Sequence, residues 1–524
     1  MLPRYARIMR TIIAGLFLLL VSCRSAAPDL VLAGGKIFTA DDRRPWAEAL
    51  AVSGDRIVAV GTNAQVRALA GPSTRVVELE GRVVVPGIND AHIHEPGTLG
   101  GVFLRVPEGA DVPRIYELVR EAAGQHPPGT LLRATIPADR LGDARLTRAE
   151  LDALAPRHPV MLGIPSGHAM LNNSAALTMR GLADDVQDRQ DGWYGRDANG
   201  RLDGWLYEYA LWRSSREIGE RQSDAAYAEE LREFSNEVLR YGITSVQTMP
   251  MIDMVRSRRI ATGAGLPPLR WRWIDLRMDG VTDEPAGAVK YILDGTPMER
   301  GAAMRADYAD AAGARGRINY SDADITRMVR AAAATDKPLL VHVSGDAPLE
   351  KLFSIMRATP ADWKAKRVRV EHGDWVGEFM DEARDLGVVI VQNPSHFMIP
   401  GLVQKRFGDE RLRTYMVFRS VPEHGIPLAV GSDGPVNPWL NMMFATMHPR
   451  NPSEAMGREP FVTAYTRGSA YAEFQEQEKG TLAPGMLADL AVLSQDVFTV
   501  AAPELPKTTS VLTIVGGKIA WEQR

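Results

Sequence analysis

Two histidines at the end of a short apolar segment are the residues best placed to do chemistry. Residues 83–94 read Val-Val-Val-Pro-Gly-Ile-Asn-Asp-Ala-His-Ile-His, so a single residue separates His92 from His94. Side chains two positions apart on a β-strand point to the same face, and imidazole nitrogens are favoured ligands of zinc and related metals. The pair therefore indicates a metal site at a strand end, although a polar loop can contain the same His-x-His.

Four further polar residues stand in or just after other apolar segments. They are Lys290 within Ala-Val-Lys-Tyr-Ile-Leu, His342 after Leu-Leu-Val, His372 after Val-Arg-Val-Glu, and Asp433 after Leu-Ala-Val-Gly-Ser. Taken singly, each is as readily a polar group of the surface or the core. Taken together, they indicate one metal site, provided that the fold brings several strand ends to one place.

The order of predicted elements supplies such a fold. Between residues 87 and 478, short apolar segments alternate with helical segments such as 225–241 and 322–334. This alternation predicts an α/β protein with a parallel, TIM-like (β/α)8 barrel, whose active site lies at the carboxyl ends of the strands. Segment 159–164 is among the predicted barrel strands. Long loops over the barrel mouth are predicted around 97–115 and 180–222.

Similar segments near the two ends of the chain predict a second unit. Both the segment that starts at Asp29 and the one that starts at Val511 contain Gly-Gly-Lys-Ile among strand-forming residues, which suits a tight hairpin. We therefore expect a small β-domain built jointly by both termini, with the barrel inserted. The predicted bounds are 24–86 and 479–524 for the two parts of this β-domain and 87–478 for the barrel.

The composition describes an ordinary globular protein. The 524 residues are 45% hydrophobic and 24% charged, and the formal net charge is −4. Because no block rich in lysine and arginine is present, we expect no nucleic-acid partner.

The first 23 residues have the pattern of an export signal. Arg4, Arg7 and Arg10 precede a short apolar run that ends in Leu-Val-Ser-Cys, and Cys23 is the single cysteine. The run is short for a membrane-spanning helix. Its end resembles a bacterial lipobox, which predicts export, lipidation of Cys23 and anchoring in the cell envelope, at the outer membrane or the periplasmic side if the source is Gram-negative. The alternative is an ordinary signal peptide in which Cys23 is incidental.

Longer motifs carry a resemblance to the amidohydrolase superfamily, specifically to amidohydrolase family 3, which includes enzymes of the N-substituted formamide deformylase type. They are Val85-Pro-Gly-Ile-Asn-Asp-Ala-His-Ile-His, Gly167-His-Ala-Met-Leu-Asn-Asn-Ser-Ala-Ala-Leu, Gly204-Trp-Leu-Tyr-Glu-Tyr-Ala, Val341-His-Val-Ser-Gly-Asp-Ala, Gly431-Ser-Asp-Gly-Pro and Gly480-Thr-Leu-Ala-Pro-Gly-Met-Leu-Ala-Asp-Leu. The motifs extend over nearly the whole chain after the signal. The resemblance implies a metal-bearing barrel with a flanking two-part β-sandwich.

The resemblance also implies roles for the candidate residues. His92 and His94 match the first metal pair, and His342 and His372 match the histidines of the fifth and sixth barrel strands. Asp433 matches the aspartate of the eighth strand, a metal ligand and general base. Lys290 matches a lysine that in many relatives is carboxylated and bridges two metal ions. The alternative is an unmodified lysine beside one metal ion; the metal expected is divalent, by preference Zn²⁺.

His168 matches a histidine that lies near the substrate in relatives. It is predicted to bind substrate and to assist catalysis by donating a hydrogen bond to the carbonyl oxygen, and the alternative is a histidine that caps a loop. Ser166 stands where the family often has aspartate, so substrate contacts differ there. Glu208 is interpreted as a supporting residue, not as a catalytic one.

The implied reaction is hydrolysis of an amide-type C–N bond of a small molecule by metal-activated water, with Asp433 as general base. The same site would serve an ester or lactone hydrolase or a deaminase of cyclic amidines. A protein of another class, an inactive lipid-anchored binding protein, is the further alternative. The sequence does not indicate the oligomeric state, and membrane contact is expected only through the lipid anchor.

Overall fold

The computed structural model describes residues 27–96 and 99–523. Cys23 and the rest of the predicted export signal lie outside these residues. Within the described ranges, no helix is long and apolar enough to cross a membrane.

The strands of the described chain form five sheets. Numbered along the chain, they are β1 (Leu30–Ala33), β2 (Lys36–Phe38), β3 (Trp46–Ala47), β4 (Ala49–Ser53), β5 (Arg56–Gly61), β6 (Arg75–Glu78), β7 (Val83–Pro86), β8 (Ile88–Ile93), β9 (Val102–Leu104), β10 (Leu132–Thr135), β11 (Val160–Gly163), β12 (Ala169–Asn172), β13 (Gly192–Arg196), β14 (Leu202–Tyr207), β15 (Ile243–Thr248), β16 (Arg270–Trp273), β17 (Asp275–Leu276), β18 (Val289–Ile292), β19 (Leu339–Val343), β20 (Arg369–His372), β21 (Val389–Gln392), β22 (Leu428–Val430), β23 (Leu490–Leu493), β24 (Ser510–Val515) and β25 (Lys518–Glu522).

Helices alternate with many of these strands. They are α1 (Asn63–Arg67), α2 (Val112–Gln125), α3 (Arg148–Leu154), α4 (Ser174–Met179), α5 (Glu208–Gly219), α6 (Asp224–Arg240), α7 (Met254–Gly263), α8 (Asp322–Ala334), α9 (Asp346–Ala358), α10 (Trp363–Lys366), α11 (Met380–Leu386), α12 (Pro400–Arg411), α13 (Ser420–Glu423), α14 (Pro438–Met447), α15 (Arg458–Thr463) and α16 (Ser469–Tyr471). The two helices predicted from the sequence, α6 and α8, begin after serine caps: the hydroxyl groups of Ser223 and Ser321 accept hydrogen bonds from backbone amides of the first turn.

Two parallel sheets carry most of the candidate residues. One has the order β16-β15-β8, and the other contains β17 to β22 in chain order. Ile274 alone separates β16 from β17, so the chain passes directly from one sheet to the other. Strands such as β19 and β21 are buried along their whole length, as expected for parallel strands covered on both faces. This arrangement is a TIM-barrel type of α/β fold.

The two chain ends contribute strands to a common sheet. β7 pairs antiparallel with β23, with Val85 opposite Ala491, in the sheet β25-β24-β23-β7-β2-β3. A second sheet has the order β5-β4-β1-β6. Apolar side chains of both sheets, including Leu32, Leu50 and Val84, belong to one buried cluster. The two sheets therefore pack through a shared core.

The two Gly-Gly segments have different roles. Gly516 and Gly517, with φ of 55° and 72°, form the turn of the predicted hairpin between β24 and β25. The prediction was wrong for Gly34 and Gly35, because β1 and β2 lie in different sheets. A Cβ atom on Gly35 would lie 2.5 Å from the Leu79 side chain, so this position requires glycine for close packing.

The segment between β8 and β15 differs from its prediction. β11, predicted as a barrel strand within 159–164, lies instead in a mixed sheet of order β13-β14-β12-β11-β10-β9. The predicted mouth loops contain β9 and the start of α2 in one case, and β13, β14 and α5 in the other. The reason is that a short, fully buried apolar strand has the same sequence pattern in either kind of sheet.

Candidate metal centre and active site

The candidate residues lie along one edge of the parallel sheets. His92 lies in β8 and His94 follows it, Lys290 lies in β18, His342 in β19, and His372 ends β20. Asp433 lies three residues beyond β22, and its backbone amide donates to the carbonyl oxygen of His92 at 2.8 Å. Lys290 lies deeper than His342, because the residue that pairs with His342 is Ile292, two positions farther along β18.

One pair of histidines faces a single carboxylate oxygen. The Nε2 atoms of His92 and His94 are each 3.5 Å from Oδ1 of Asp433. Nδ1 of His94 donates to the carbonyl oxygen of Met249 at 3.0 Å, and Nδ1 of His92 lies 2.5 Å from Oε2 of Glu371. Because Nδ1 of each ring is engaged, Nε2 of each ring is directed into the site.

Glu371 is held in place by a buried arginine. Nε of Arg369 donates to Oε1 of Glu371 at 2.8 Å, and both side chains are fully buried. Burial opposes ionisation of Glu371, but the charges of Arg369 and His92 outweigh it and lower the pKa of this carboxyl to about 2. Glu371 is therefore a carboxylate that fixes the orientation of His92.

Lys290 brings an amine into the same buried space. Its Nζ lies 2.8 Å from Nε2 of His92, and only 1% of the residue is exposed. Burial lowers the pKa of Lys290 to about 8, against the influence of Asp433 and Glu371. At neutral pH, a larger fraction of this lysine is therefore the neutral amine than of a lysine in solvent.

His342 and His372 stand side by side. Their ring centroids are 4.3 Å apart, and burial lowers the pKa of both well below the ordinary value. Nδ1 of His372 bonds to Oδ1 of Asn393 at 2.9 Å, whereas the buried Nε2 of His342 has no hydrogen-bond partner among the described residues. A buried nitrogen without a partner is unfavourable unless another group uses its lone pair.

His168 reaches the site from the mixed sheet. It directly precedes β12, and its ring centroid lies 5.2 Å from that of His342. Its Nδ1 bonds to Oε1 of Glu208 at 2.8 Å, and Asn319 donates to Oε2 of Glu208 at 3.0 Å. Burial opposes the charged imidazole, but Glu208, with Glu299 and Asp433, raises the pKa of His168 to about 9. The structure thus places His168 and Glu208 together beside the clustered histidines.

Three residues of the site have a strained backbone. Glu208, His372 and Asp433 have φ values of 53°, 68° and 49°, in the left-handed region that non-glycine residues seldom adopt. Such conformations cost on the order of 1–3 kcal/mol each and concentrate at functional sites. Strain on three residues of one site indicates that the positions of their side chains are maintained at a cost in folding stability.

Sequence reasoning missed His396 and Glu299, in addition to hydrogen-bond partners such as Asn393. Nε2 of His396 lies 3.4 Å from Oδ2 of Asp433, and its ring stacks on that of His372. His396 comes four residues after β21, so the signal that identified the other histidines also applied to it. Glu299, which accepts a hydrogen bond from Ser166 at 3.1 Å, lies in the long connection between β18 and α8, where no pattern marks it.

The sequence model of the amidohydrolase family matches residues 75–520 of the chain. The chain belongs to the amidohydrolase family. Family membership makes the protein a hydrolase acting on C–N bonds other than peptide bonds.

Individual relatives agree with the assignment of this chain to the amidohydrolase family. The chain is 28% identical over 542 residues to N-substituted formamide deformylase of Arthrobacter pascens, covering 94% of this chain and 98% of the relative. It is 26% identical to the putative amidohydrolase YtcJ of Bacillus subtilis (strain 168), covering 94% and 99%. An uncharacterized metal-dependent hydrolase from Pyrococcus horikoshii OT3 superimposes with a TM-score of 0.70 at 20% identity, covering 90% and 99%, which shows a common fold.

The family implies a divalent metal, and the residues of this amidohydrolase fit one. Ligand atoms of His92, His94 and Asp433 lie within 4.8 Å of one another, as do those of His372, His396 and Asp433. The depressed pKa values of His94 and His372 keep their rings neutral, the form that binds metals. The unpartnered Nε2 of His342 is a further available donor. Several imidazoles with one carboxylate are a donor set suited to zinc and its neighbours.

Proposed function

We propose that this amidohydrolase cleaves the amide-type C–N bond of a small molecule at a divalent metal centre. The residues that would hold the metal, by preference Zn²⁺, are His92, His94, Lys290, His342, His372 and Asp433. Asp433 is the general base, and His168 binds the substrate carbonyl. The observation that carries the proposal is the position of the Asp433 carboxylate, with Oδ1 3.5 Å from Nε2 of both His92 and His94.

A divalent metal, when bound, lowers the pKa of water to about 7 and polarises a carbonyl group. The protein supplies the proton transfer. Burial favours the neutral acid at Asp433, but His92 and His396 hold the pKa of this carboxyl well below its ordinary range. Asp433 is thus ionised at neutral pH, takes a proton from the attacking water and then gives it to the leaving nitrogen.

His168 acts on the other side of the reacting carbonyl. With a pKa of about 9 it is a cation at neutral pH, and Glu208 occupies its Nδ1. Its Nε2–H is then free to donate to the carbonyl oxygen, on which negative charge develops as water adds. A preorganised donor of this kind is worth about 10²–10³ in kcat.

Lys290 is proposed to carry a carboxylate. Its neutral amine attacks the carbon of carbon dioxide, a proton is lost, and N6-carboxylysine forms. Burial and the pKa of about 8 support this reaction, since the amine must be neutral to attack. The product is an anion that can hold one metal ion or bridge two. Incorporation of ¹³C-labelled carbon dioxide, observed by NMR in wild type and absent from Lys290→Arg, is the expected result; no carbamate signal in wild type would contradict it.

N-substituted formamides are the first substrates to assay, because a relative that spans nearly the whole chain is named as an N-substituted formamide deformylase. The protein is freed of metal with a chelator, reloaded with Zn²⁺, and supplied with formamides, larger amides and the matching esters. We expect release of amine from at least one amide, dependent on Zn²⁺. Cleavage of the esters alone, or metal-independent cleavage, would contradict the proposal.

We also propose how the sheets are arranged and where the protein is located. We infer a closed (β/α)8 barrel, flanked by a separate β-sandwich to which both termini contribute. The direct passage from β16 to β17 and the hydrogen bond from Asp433 to the carbonyl of His92 support closure. The pairing of β7 with β23 supports the shared sandwich. We further propose export and lipid anchoring at Cys23.

A further inference from the structure

We propose that Glu95 is a positioning residue, which holds the metal ligand His94 in place through a buried network of hydroxyl groups. The proposed reaction gives Glu95 no role, although it directly follows His94 in the chain. The inference deepens the proposed function and rests on it, because it takes His94 as a ligand of the metal. Its consequence is that a residue outside the set of metal ligands controls the affinity of the site.

The Glu95 carboxylate is buried and accepts hydrogen bonds from three hydroxyl groups. Only 2% of the residue is exposed. Oε1 accepts from the hydroxyl groups of Tyr227 and Ser257, and Oε2 accepts from that of Thr248 at 2.7 Å. Among the described residues, no lysine, arginine or histidine pairs with this carboxylate. Its hydrogen-bond donors are therefore neutral groups.

The network lies between the parallel strands and two helices, in apolar surroundings. Tyr227 on α6 belongs to a buried cluster with Leu231 of the same helix and Ile260 of α7. Helix α7 also carries Ser257. A buried carboxylate without a cation is costly in such surroundings, and an apolar side chain of similar size would avoid that cost. A carboxylate at this position therefore indicates a requirement for its hydrogen bonds.

Glu95 ties the segment that contains His94 to the end of β15. Before His94, the carbonyl oxygen of Ile93 accepts the backbone amide of Met249 at 3.2 Å. After His94, the backbone amide of Glu95 donates to the hydroxyl oxygen of Thr248 at 3.3 Å, and the same hydroxyl group donates to the carboxylate. His94 lies just beyond the last residue of β8 and is thereby held on both sides.

The same segment fixes the imidazole ring of His94. Nδ1 of His94 donates to the carbonyl oxygen of Met249 at 3.0 Å, and Met249 directly follows Thr248. The side chain of His94 is 32% exposed, whereas that of His92 is fully buried. His94 is therefore the less enclosed ligand of the pair, and its direction depends on how the end of β15 is held against β8. Glu95 provides that connection through Thr248.

The test measures the affinity of the full-length protein for Zn²⁺. Metal-free wild type, Glu95→Ala, Glu95→Gln, Tyr227→Phe and the control Glu454→Ala each compete with a chelator of known affinity, and circular dichroism checks folding. Glu95→Gln keeps the shape and an oxygen acceptor, and Tyr227→Phe removes one donor but keeps the ring. Glu454 is likewise a buried carboxylate bonded by a hydroxyl group, that of Ser420, but it lies outside the candidate site.

We expect Glu95→Ala to weaken Zn²⁺ binding by about 10–100-fold, the effect typical of losing a residue that orients a metal ligand. Glu95→Gln should recover most of this loss, because the amide oxygen still accepts hydrogen bonds from the hydroxyl groups. Tyr227→Phe should show a smaller loss, and Glu454→Ala should bind Zn²⁺ as the wild type does.

Wild-type affinity in folded Glu95→Ala would overturn the proposal, because Glu95 would then contribute only to folding. Equal losses in Glu95→Ala and Glu95→Gln would overturn it too, since removal of the charge alone would explain them. If Glu95→Ala does not fold, wild-type affinity in Tyr227→Phe would overturn the proposal. Absence of bound Zn²⁺ from the wild type would instead contradict the proposed function.

Discussion

In four histidines of the site, a neighbouring side chain or backbone carbonyl occupies one ring nitrogen. The pairs are His92 with Glu371, His94 with the carbonyl of Met249, His168 with Glu208 and His372 with Asn393, and in each pair Nδ1 is the bonded atom. Nε2 is therefore the nitrogen left for metal or substrate. The partner alone does not decide the charge of the ring. Glu208, with Glu299 and Asp433, raises the pKa of His168 against burial, whereas burial and the charge of Lys290 lower the pKa of His92 although its partner is the carboxylate of Glu371.

Asp433→Asn tests the general base. Asparagine retains the shape and one oxygen ligand, and it tolerates the φ of 49° at this position, so the fold and most of the bound metal should remain. It cannot accept a proton, and kcat should fall by about 10²–10⁴. Steady-state kinetics at matched metal content is the measurement, with Asp385→Asn, an exposed carboxylate, as control. A near-normal kcat in Asp433→Asn would assign the base to another residue.

Glu208→Gln tests the charge on His168. With the carboxylate neutralised, the pKa of His168 should fall from about 9 toward its ordinary value. If the cation is needed, activity is present below this pKa and lost above it, so the alkaline limb of the kcat/KM profile should move to lower pH. His168→Ala should lack that limb and lose less activity than Asp433→Asn. An unmoved limb in Glu208→Gln would show that another group produces it.

The ends of neighbouring strands are joined by side chains from the turns that follow them. Asn393, directly after β21, links His372 at the end of β20 to Gly431 beyond β22. Without the Asn393 side chain, His372 would still be present, but its imidazole ring would be free to rotate.

Asn393→Ala should therefore weaken metal binding by about 10–100-fold while the protein stays folded. Competition of the variant with a chelator of known affinity measures the change. Asn199→Ala, in an exposed turn, should bind metal as the wild type does. Equal affinities in wild type and Asn393→Ala would exclude a supporting role for Asn393.

Sequence analysis located those strands whose residue pattern fits only one kind of structural element. β19, β20 and β22 were found because buried apolar runs ended near His342, His372 and Asp433. The mixed sheet between β8 and β15 was not found, since β11 has the pattern of a barrel strand and β13 contains two glycines with no regular alternation. Glu299 was missed because it comes from a connection without periodicity. Hydrogen-bond partners such as Asn393 depend on contacts between distant segments, which no local pattern records.

In the molecule as a whole, the strands that precede and follow the central sheets pair with one another. β7 ends at Pro86, two residues before β8 begins, and it pairs with β23, so the N-terminal and C-terminal segments meet next to the first strand of the central parallel sheets. The segment that precedes β1 is where the predicted membrane anchor would attach. The predicted anchor would therefore join the chain next to the terminal sheets, whereas the candidate site is formed by the central parallel sheets.

Cys23→Ser tests the anchor. Cys23 is the single cysteine of the chain, so cysteine-linked lipid in the wild type can reside at no other position. Labelled fatty acid supplied to a bacterial host should enter the wild-type protein and not Cys23→Ser, and the wild type should fractionate with membranes. Equal labelling of the two proteins would contradict the lipid anchor and leave the catalytic account unaffected.

The proposed reaction depends on a divalent metal ion bound between His92, His94 and Asp433. Anomalous X-ray diffraction from zinc-loaded crystals, recorded on both sides of the zinc absorption edge, would locate this ion. We expect a peak about 2.0–2.2 Å from Nε2 of both histidines and from Oδ1 of Asp433. Fully loaded protein without an anomalous peak at this position, or with zinc bound only elsewhere, would contradict it.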